Sequence, residues 1–473
     1  MALQRRKNQW SFRQGWQHIQ QALWTGEQLE VTRMPLKHGI GYLALPMIVE
    51  MMMESLFAVV DIFFVGKLGK YALTTVGLTE SLLTLIYSAG IGMAMAATAL
   101  ISRRWGEQKY QEAGYAALHL VLTGALISLP LGVLGFFGAP WLLRLMGAEP
   151  AVLDVGSTYS QIIFAGNLPI LLIFMQNGIF RGAGKPQVAM KALILANTLN
   201  LVLDPLFIFG IGSWDGWGLT GAAIATTTGR SIGVLYQWWE LSRDKDFFPA
   251  LQQRMCLSMA MMRQILVLSF GGMAQFLIES ASWMALTRIM AIFGSVHLAA
   301  FTILMRTLMF TLMPAWGLSA AAATMVGQHL GAGKIKRAIQ SVALTTRYTL
   351  IFLGLVSGIY FIGGPTITGW FTDEKEVQQL AGAGLRWIAG GYVFFGLGMV
   401  MVQALNGAGD TQSPSILNFV LMWLIQIPLA WLLAVYFQMG FHGVLLAILA
   451  CHSAHGLLSW AIFKKGRWKT IQI

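Results

Sequence analysis

Three carboxylates stand inside one apolar run: Glu50, Glu54 and Asp61 in IVEMMMESLFAVVDIFFVG, Ile48 to Gly66. Steps of four and seven residues put all three on one helical stripe, within about 40° at 100° per residue. That stripe can face a polar cavity while Met47, Leu56 and Phe63 face lipid or protein. Glu50 lies nearest the helix start, where it can shape an inner vestibule. A second polar cluster sits in NTLNLVLDPLFIFG, where Asn200 and Asp204 are one turn apart on one face. A carboxylate in hydrocarbon costs about 2.5–3.5 kcal/mol even on a lenient scale. Two of them close together in low dielectric do not both stay charged cheaply, so such a pair takes up H⁺ near neutral pH. With the Asn200 carbonyl and a hydroxyl it could instead hold Na⁺. The structural alternative is that Asp204, ahead of Pro205, hydrogen-bonds backbone freed at a kink. Pro46 removes a backbone donor and marks the first helix as a hinge, free to bend when Asp61 gains a proton.

The elements that must hold these groups are membrane spans. Of 473 residues, 56% are hydrophobic and 11% charged, too little charge to solvate the surfaces of several soluble domains. Apolar runs recur down the whole chain, roughly at 40–65, 74–101, 113–137, 157–180, 187–211, 218–240, 264–292, 298–326, 340–363, 381–405, 413–437 and 441–463. The runs are continuous rather than alternating, which excludes a transmembrane β-barrel. The fold class is therefore all-α, a polytopic protein of twelve spans. Loops after even-numbered runs are basic (Arg103, Arg104, Lys109; Arg181, Lys185; Arg243, Lys245; Lys334, Lys336, Arg337), and so are both termini. This charge bias places both termini in the cytoplasm of a multi-pass cell-membrane protein. The net charge of +12 is thus a topology signal and does not point to nucleic acid. Cys256 and Cys451 fall in unlike settings and are not expected to bridge. Residues 1–38 have no signal-peptide pattern. Their NQWSFRQGWQHIQQALW segment reads either as a surface-lying amphipathic helix or as a partly ordered tail.

The chain is written twice. GKYALTTVGLTESLLTLIYSAGIGMAMAATALISRRWGEQK from Gly69 aligns without gaps on GSVHLAAFTILMRTLMFTLMPAWGLSAAAATMVGQHLGAGK from Gly294, an offset of 294 − 69 = 225. The same offset pairs Gly92 with Gly317, Gly106 with Gly331, Pro140 with Pro365 and RGAGK at Arg181 with NGAGD at Asn406. Six spans per copy is an even number, so the copies are parallel repeats related by an axis along the membrane normal, with a cavity between them. The division is a cytoplasmic segment 1–38, a first lobe 39–240, a linker 241–263, a second lobe 264–465 and a tail 466–473.

VDIFFVGKLG at the end of the first span, SRRWGEQKYQEA and GQHLGAGKIKRA after the second and eighth, and GIFRGAGKPQ and ALNGAGDTQSP after the fourth and tenth resemble the motifs of the MATE family of multidrug and toxic-compound extrusion proteins. The resemblance covers about residues 38–465. It implies a V-shaped exporter of bulky, often cationic, amphipathic small molecules, driven by inward H⁺ or Na⁺ and needing no cofactor beyond that ion. Asp61 matches a coupling Asp of the family's first helix. Asn200 and Asp204 match coupling residues of its DinF-like branch, so the first lobe looks nearer that branch. Glu279 matches a seventh-helix Glu of the NorM-like branch, whereas the Asp of that branch's tenth helix is missing from GGYVFFGLGMVMVQALNG.

At the offset, Asp61 faces Leu286, Asn200 faces Ile425 and Asp204 faces Leu429, so the cation cluster belongs to the first lobe alone. Glu54 instead faces Glu279, one acid per lobe. The two read either as cavity acids that attract cationic substrate or as groups hydrogen-bonded to neighbouring helices. Phe64, Trp283, Trp316, Tyr392 and Phe395 are candidate aromatic walls of the substrate cavity. Glu80 reads as interhelical, and Arg306 either pairs with an acid or snorkels. Arg230 and His455 match at the offset without a nameable partner. His452 and His455 have metal-like spacing but no third ligand, which favours a packed role. RGAGKP and GAGKIK lack the spacing and the Ser or Thr of a phosphate loop, and no other enzyme motif is present. The competing function is a lipid or lipid-linked oligosaccharide flippase, which would want a cationic cavity. The protein is expected to act as a monomer among membrane lipid.

Overall fold

Long apolar runs have one solution in hydrocarbon, the helix that satisfies its own backbone donors and acceptors. The structure is a computed structural model that describes residues 30–245, 247 and 257–473, together with Gln17, Gln20 and Leu23. Most of the amphipathic segment considered above and, in the linker, residues 246 and 248–256 with Cys256 among them lie outside the described residues. The first half holds α1 (Leu36–Val65), α2 (Lys70–Gly106), α3 (Tyr110–Leu145), α4 (Pro150–Ala165), α5 (Asn167–Gly182), α6 (Pro186–Phe209) and α7 (Gly218–Arg243). The second holds α8 (Met259–Ala291), α9 (Ser295–Gly331), α10 (Ile335–Thr368), α11 (Lys375–Ala389), α12 (Tyr392–Gly407), α13 (Gln412–Tyr436) and α14 (Gly440–Lys465).

Eight of these helices are long and apolar enough to cross a membrane, and ten spans result when the pairs α4–α5 and α11–α12 each count as one. Helices α1 and α7, of 30 and 26 residues, complete the twelve. The carboxylates of α1 and the threonines of α7 make them the polar members of the set.

The halves match in register. Helix α2 starts at Lys70 and ends at Gly106, and α9 starts at Ser295 and ends at Gly331, both shifted by 225. The same shift carries α5 onto α12 residue for residue and α4 onto α11 from the same start, with α11 ending one residue earlier. The fourth and tenth spans, read from sequence as single runs, are bent by 43° at Gly166 and by 57° at Gly390–Gly391. Each bend frees a carbonyl, and a side chain takes it up: Asn167 Nδ2 donates to Phe164 O at 2.7 Å, and Ser357 Oγ to Ala389 O at 2.6 Å. Such satisfaction is what lets a broken helix persist inside a membrane protein. Helix α13 departs from its counterpart α6 by winding loosely over Phe419–Gln426 and Leu432–Tyr436, on either side of Pro428, which cannot donate to the ladder.

The two lobes are joined at one end and separate at the other. At the end opposite the termini each lobe has its own core: Val65, Leu83, Tyr159, Ile163 and Ala223 in the first, Leu286, Phe301, Tyr392, Phe441 and Val444 in the second. At the end bearing the termini the cores are shared. Tyr42 and Met47 of α1 pack with Ala321 and Met325 of α9, and Ile265 and Leu268 of α8 pack with Trp105 and Phe180 of the first lobe. Helices α2 and α9 cross there about the pseudo-twofold axis. A Cβ on Gly106 would lie 2.1 Å from Gln328 O, and one on Gly331 would lie 2.1 Å from Arg103 O; Arg103 and Gln328 are themselves repeat partners. Side chains tie the same end: Gln328 Nε2 donates to Gly182 O (2.9 Å) and Thr324 Oγ1 to Arg181 O (3.1 Å). Two reciprocal straps complete it, Arg337 to Met34 O at 2.6 Å and Arg103 to Ile471 O at 2.9 Å.

The crossing tolerates no side chain, so Gly106→Val should cost about 1–3 kcal/mol of overpacking and push the lobes apart at this end. A Thr98→Cys reporter should then react faster with a bulky maleimide. Gly358→Val, where a Cβ meets nothing within 4 Å, should leave the labelling rate unchanged.

Candidate functional site

Helix α1 presents its carboxylates to α5, α6 and α7, one per level. Glu50, fully buried, accepts from Arg181 Nη2 of α5 at 2.9 Å. Glu54 accepts from Arg230 Nη2 of α7 at 3.0 Å. Asp61 accepts from Thr226 Oγ1 of α7 at 3.2 Å. Thr226 and Arg230 are four residues apart on α7 and therefore share a face.

The structure brings Asp61, Asn200 and Asp204 together. Asp204 and Asn200 are fully buried, and Asn200 Nδ2 donates to Asp204 Oδ1 at 3.0 Å. The Asp61 carboxyl faces both in the same buried pocket. Two carboxyl groups bond one another only if one carries a proton. Asp204 Oδ2 and Asn200 Oδ1 are buried acceptors without a donor among the described residues. The pocket is thus an acceptor-rich site, two carboxylates, an amide oxygen and the Thr226 hydroxyl, with room in its hydrogen bonding for H⁺ or a small hard cation.

Between the lobes lies a cavity of about 290 Å³. Glu54, Tyr87 and Phe174 line it from the first lobe, and Phe276, Met313 and Trp316 from the second. A further cavity of about 130 Å³ extends from it into the second lobe, where Glu279, Trp283, Phe395, Met399 and His452 form the wall. Met95, Phe276, Met313, Trp316 and Gln403 border both. Aromatic faces and thioethers around one acid make a surface that suits a flat or bulky organic cation.

Glu54 and Glu279 differ in kind. Glu54 borders the cavity but is committed to Arg230, the hydrogen-bonded alternative set out above. Glu279 borders the cavity with no ion pair or hydrogen bond among the described residues. At Arg230's symmetric position stands His455, whose Nε2 bonds Asn418 Oδ1 at 2.9 Å instead. His452 stacks on Phe395, with ring centroids 4.1 Å apart, and no cluster of metal ligands exists among the described residues. Trp283, Trp316 and Phe395 take the wall positions expected of them.

Two expected wall residues do not. Tyr392 is fully buried in the second-lobe core, its hydroxyl 2.6 Å from Thr311 Oγ1. Phe64 packs at the outer end of α1 against Phe63 and Phe209, under the Lys67 ammonium. Both lie on helices that line the cavity but at the wrong level: Tyr392 is the first residue of α12, on the stripe of Met399 and Gln403 but nearer the bend, and Phe64 lies ten residues beyond Glu54, so residue type and stripe alone do not reveal depth. Pro46 is buried inside α1, which continues through it as one helix, next to the Met47–Gly317 contact between lobes. Arg306 is exposed on α9, on the stripe of Met309, Met313 and Trp316 and one turn nearer the open end.

Sequence reasoning missed Arg181 as the partner of Glu50, although the repeat carried the signal. The positions symmetric to Glu50 and Arg181 are Gln275 and Asn406. They form a reciprocal amide pair, Gln275 Nε2 to Asn406 Oδ1 at 3.0 Å and Asn406 Nδ2 to Gln275 Oε1 at 3.1 Å. An ion pair in one lobe and a neutral pair in the other occupy the same geometry. Breaking a buried ion pair by neutralising one member costs about 3–5 kcal/mol. Glu50→Gln should therefore lower the thermal unfolding midpoint in detergent. Glu50→Gln/Arg181→Asn, which copies the second lobe's pair into the first, should restore most of it.

Comparison with known proteins agrees with this architecture. The MatE family model matches twice in succession, over residues 46–206 and 273–432. A probable multidrug resistance protein NorM of Thermotoga maritima is 24% identical over 433 residues, 90% of this chain and 92% of that one. A FAD transporter of Shewanella oneidensis is 27% identical over 425 residues, 88% and 91% of the two chains. A solved structure described as the outward-facing conformation of a multidrug resistance MATE family transporter of the MOP superfamily superposes with a TM-score of 0.87 at 22% identity, covering 94% of this chain and 99% of that one. With two tandem matches on two symmetric lobes around a shared cavity, the chain belongs to the MATE (MatE) family of membrane transporters.

Proposed function

We propose that the protein is a secondary antiporter that exports bulky cationic amphipathic compounds in exchange for H⁺ or Na⁺. The observation that carries this reading is the juxtaposition of Asp61, Asn200 and Asp204 in one buried site beside a cavity whose only unpartnered charge among its lining residues is the carboxylate Glu279. A small ion fits the first, and an organic cation fits the second. Relatives named as multidrug resistance proteins support the cargo class. Basic loops gather at the joined end of the lobes, and by the charge bias of membrane proteins this end faces the cytoplasm. The cleft then opens outward, and export is completed by rocking the lobes about the α2–α9 crossing. Each chain encloses a complete cavity, which supports a monomer as the working unit.

Flippase activity on lipid-linked sugars is less well supported. Arg181 and Arg230 are held by Glu50 and Glu54, which leaves Arg306, one turn beyond the cavity-lining stripe of α9, as the single nearby cation without an ion pair among the described residues, short of the cluster a pyrophosphate would want.

The test is accumulation of a fluorescent organic cation in an efflux-deficient host. Asp61→Asn and Asp204→Asn should each lower export by about tenfold or more, as loss of a coupling group does. Collapsing the gradient of the coupling ion should abolish wild-type export, and collapsing the other gradient should not. Full export by both variants would rule the reading out. Transport of a labelled lipid-linked sugar without drug export would select the flippase.

A further inference from the structure

We propose that Arg230 is a positioning residue that carries the charge state of the Asp61–Asp204 pair to the cavity carboxylate Glu54. The inference rests on the antiport reading above and adds how ion and cargo exclude one another.

Spacing puts Arg230 between two carboxylates. On α1, Glu54 and Asp61 are seven residues apart, about 10.5 Å along the axis. On α7, running the other way, Thr226 stands level with Asp61, and Arg230 lies about 6 Å further toward Glu54. The Arg230 backbone is therefore placed between the two acids, and a guanidinium reaches either. Its present commitment is partial. Nη2 bonds Glu54 Oε1 at 3.0 Å, while Nε and Nη1 are buried with no acceptor among the described residues. The plane is guided by Phe57, 4.7 Å from the guanidinium carbon, and by Tyr87 at 5.9 Å. Facing groups are Glu54 and Asp61 on α1 and Glu80 and Tyr87 on α2, with Asp204 on α6 and Tyr159 on α4 just beyond.

Five donors in a rigid fork, three of them on the idle Nε and Nη1, make Arg230 a divided counter-ion. With H⁺ or Na⁺ in the site, Asp61 is neutralised and Arg230 belongs to Glu54. The cavity then shows little negative charge from this lobe. When the ion leaves, the bare Asp61 draws Nε and Nη1 toward itself. Glu54 is loosened and turns its charge to the cavity, where it joins Glu279 in attracting cationic cargo. Cargo binds best when the ion is absent, which is the negative linkage an antiporter needs. The second lobe has His455 in place of Arg230 and leucines in place of Asp61 and Asp204, so its Glu279 answers to no such relay.

The test is binding of tetraphenylphosphonium to the purified full chain at about pH 5.5 and about pH 8, with Na⁺ varied in parallel. Wild type should bind about tenfold more tightly in the ion-free condition, within the usual range of coupling between sites. Arg230→Gln should bind tightly in both, with the difference reduced to about twofold or less, and Arg230→Lys should restore much of it. Glu54→Gln should bind weakly in both. Should Arg230→Gln not fold, Glu54→Gln/Arg230→Gln removes both charges together, and it should bind weakly without ion dependence. Wild-type ion dependence in either Arg230→Gln or the double variant, when Asp61→Asn has lost it, overturns the relay alone. A wild type with no ion dependence overturns the relay and the antiport reading together.

Discussion

A charge in hydrocarbon must be neutralised by something, and the identity of that something differs from site to site down α1. Glu50 has a permanent counter-ion in Arg181. Glu54 shares one, Arg230, whose remaining donors are idle. Asp61 has a hydroxyl, an amide and another carboxylate around it and no ion pair of its own among the described residues, which is why the proposed reading gives it an exchangeable ion. On the proposed reading the partners run from fixed to shared to exchangeable along a single helix, from the joined end of the lobes toward the open one. A buried ion pair contributes little to stability compared with an apolar substitute, so its retention here is best understood through what it positions.

The duplicated architecture makes that reading sharper than one lobe could. The second lobe keeps the geometry and changes the chemistry: the Glu50–Arg181 ion pair becomes the Gln275–Asn406 amide pair, and the Asp61 site becomes leucine. Of the counterparts of the three α1 acids, only Glu279 is again an acid, facing the cavity among Trp283, Trp316 and Phe395. One lobe thus holds the Asp61–Asn200–Asp204 cluster to which the proposed reading gives the ion, and the other holds most of the apolar wall. The lobes meet at the glycine-lined crossing of α2 and α9, where backbone approaches backbone with no room for a side chain.

Much of this was legible in the sequence. A gap-free 225-residue offset is a statement about helix lengths, and the helices keep it. The 4 and 7 spacing of the α1 acids fixes their shared face whatever the helix packs against. What stayed hidden depends on the packing itself. Tyr392 at the start of α12 is buried in the second-lobe core and Phe64 packs at the far end of α1, because packing between helices decides at which level along a stripe the cavity lies. Partners of long side chains were equally invisible: Arg181 and Arg230 lie 131 and 176 residues from their acids, and only three dimensions bring them together. The bends at Gly166 and Gly391 were concealed by hydropathy, which is continuous across both.

The central claim is that cargo and ion compete because Asp61 and Asp204 form one ion site. The most direct measurement is the ion released when a saturating organic cation binds, read by calorimetry in buffers of different ionisation enthalpy and by displacement of radioactive Na⁺. Release of about one H⁺ or one Na⁺ per bound cation is expected from wild type, and none from Asp61→Asn/Asp204→Asn. Cargo binding that releases neither ion at any pH would contradict the account.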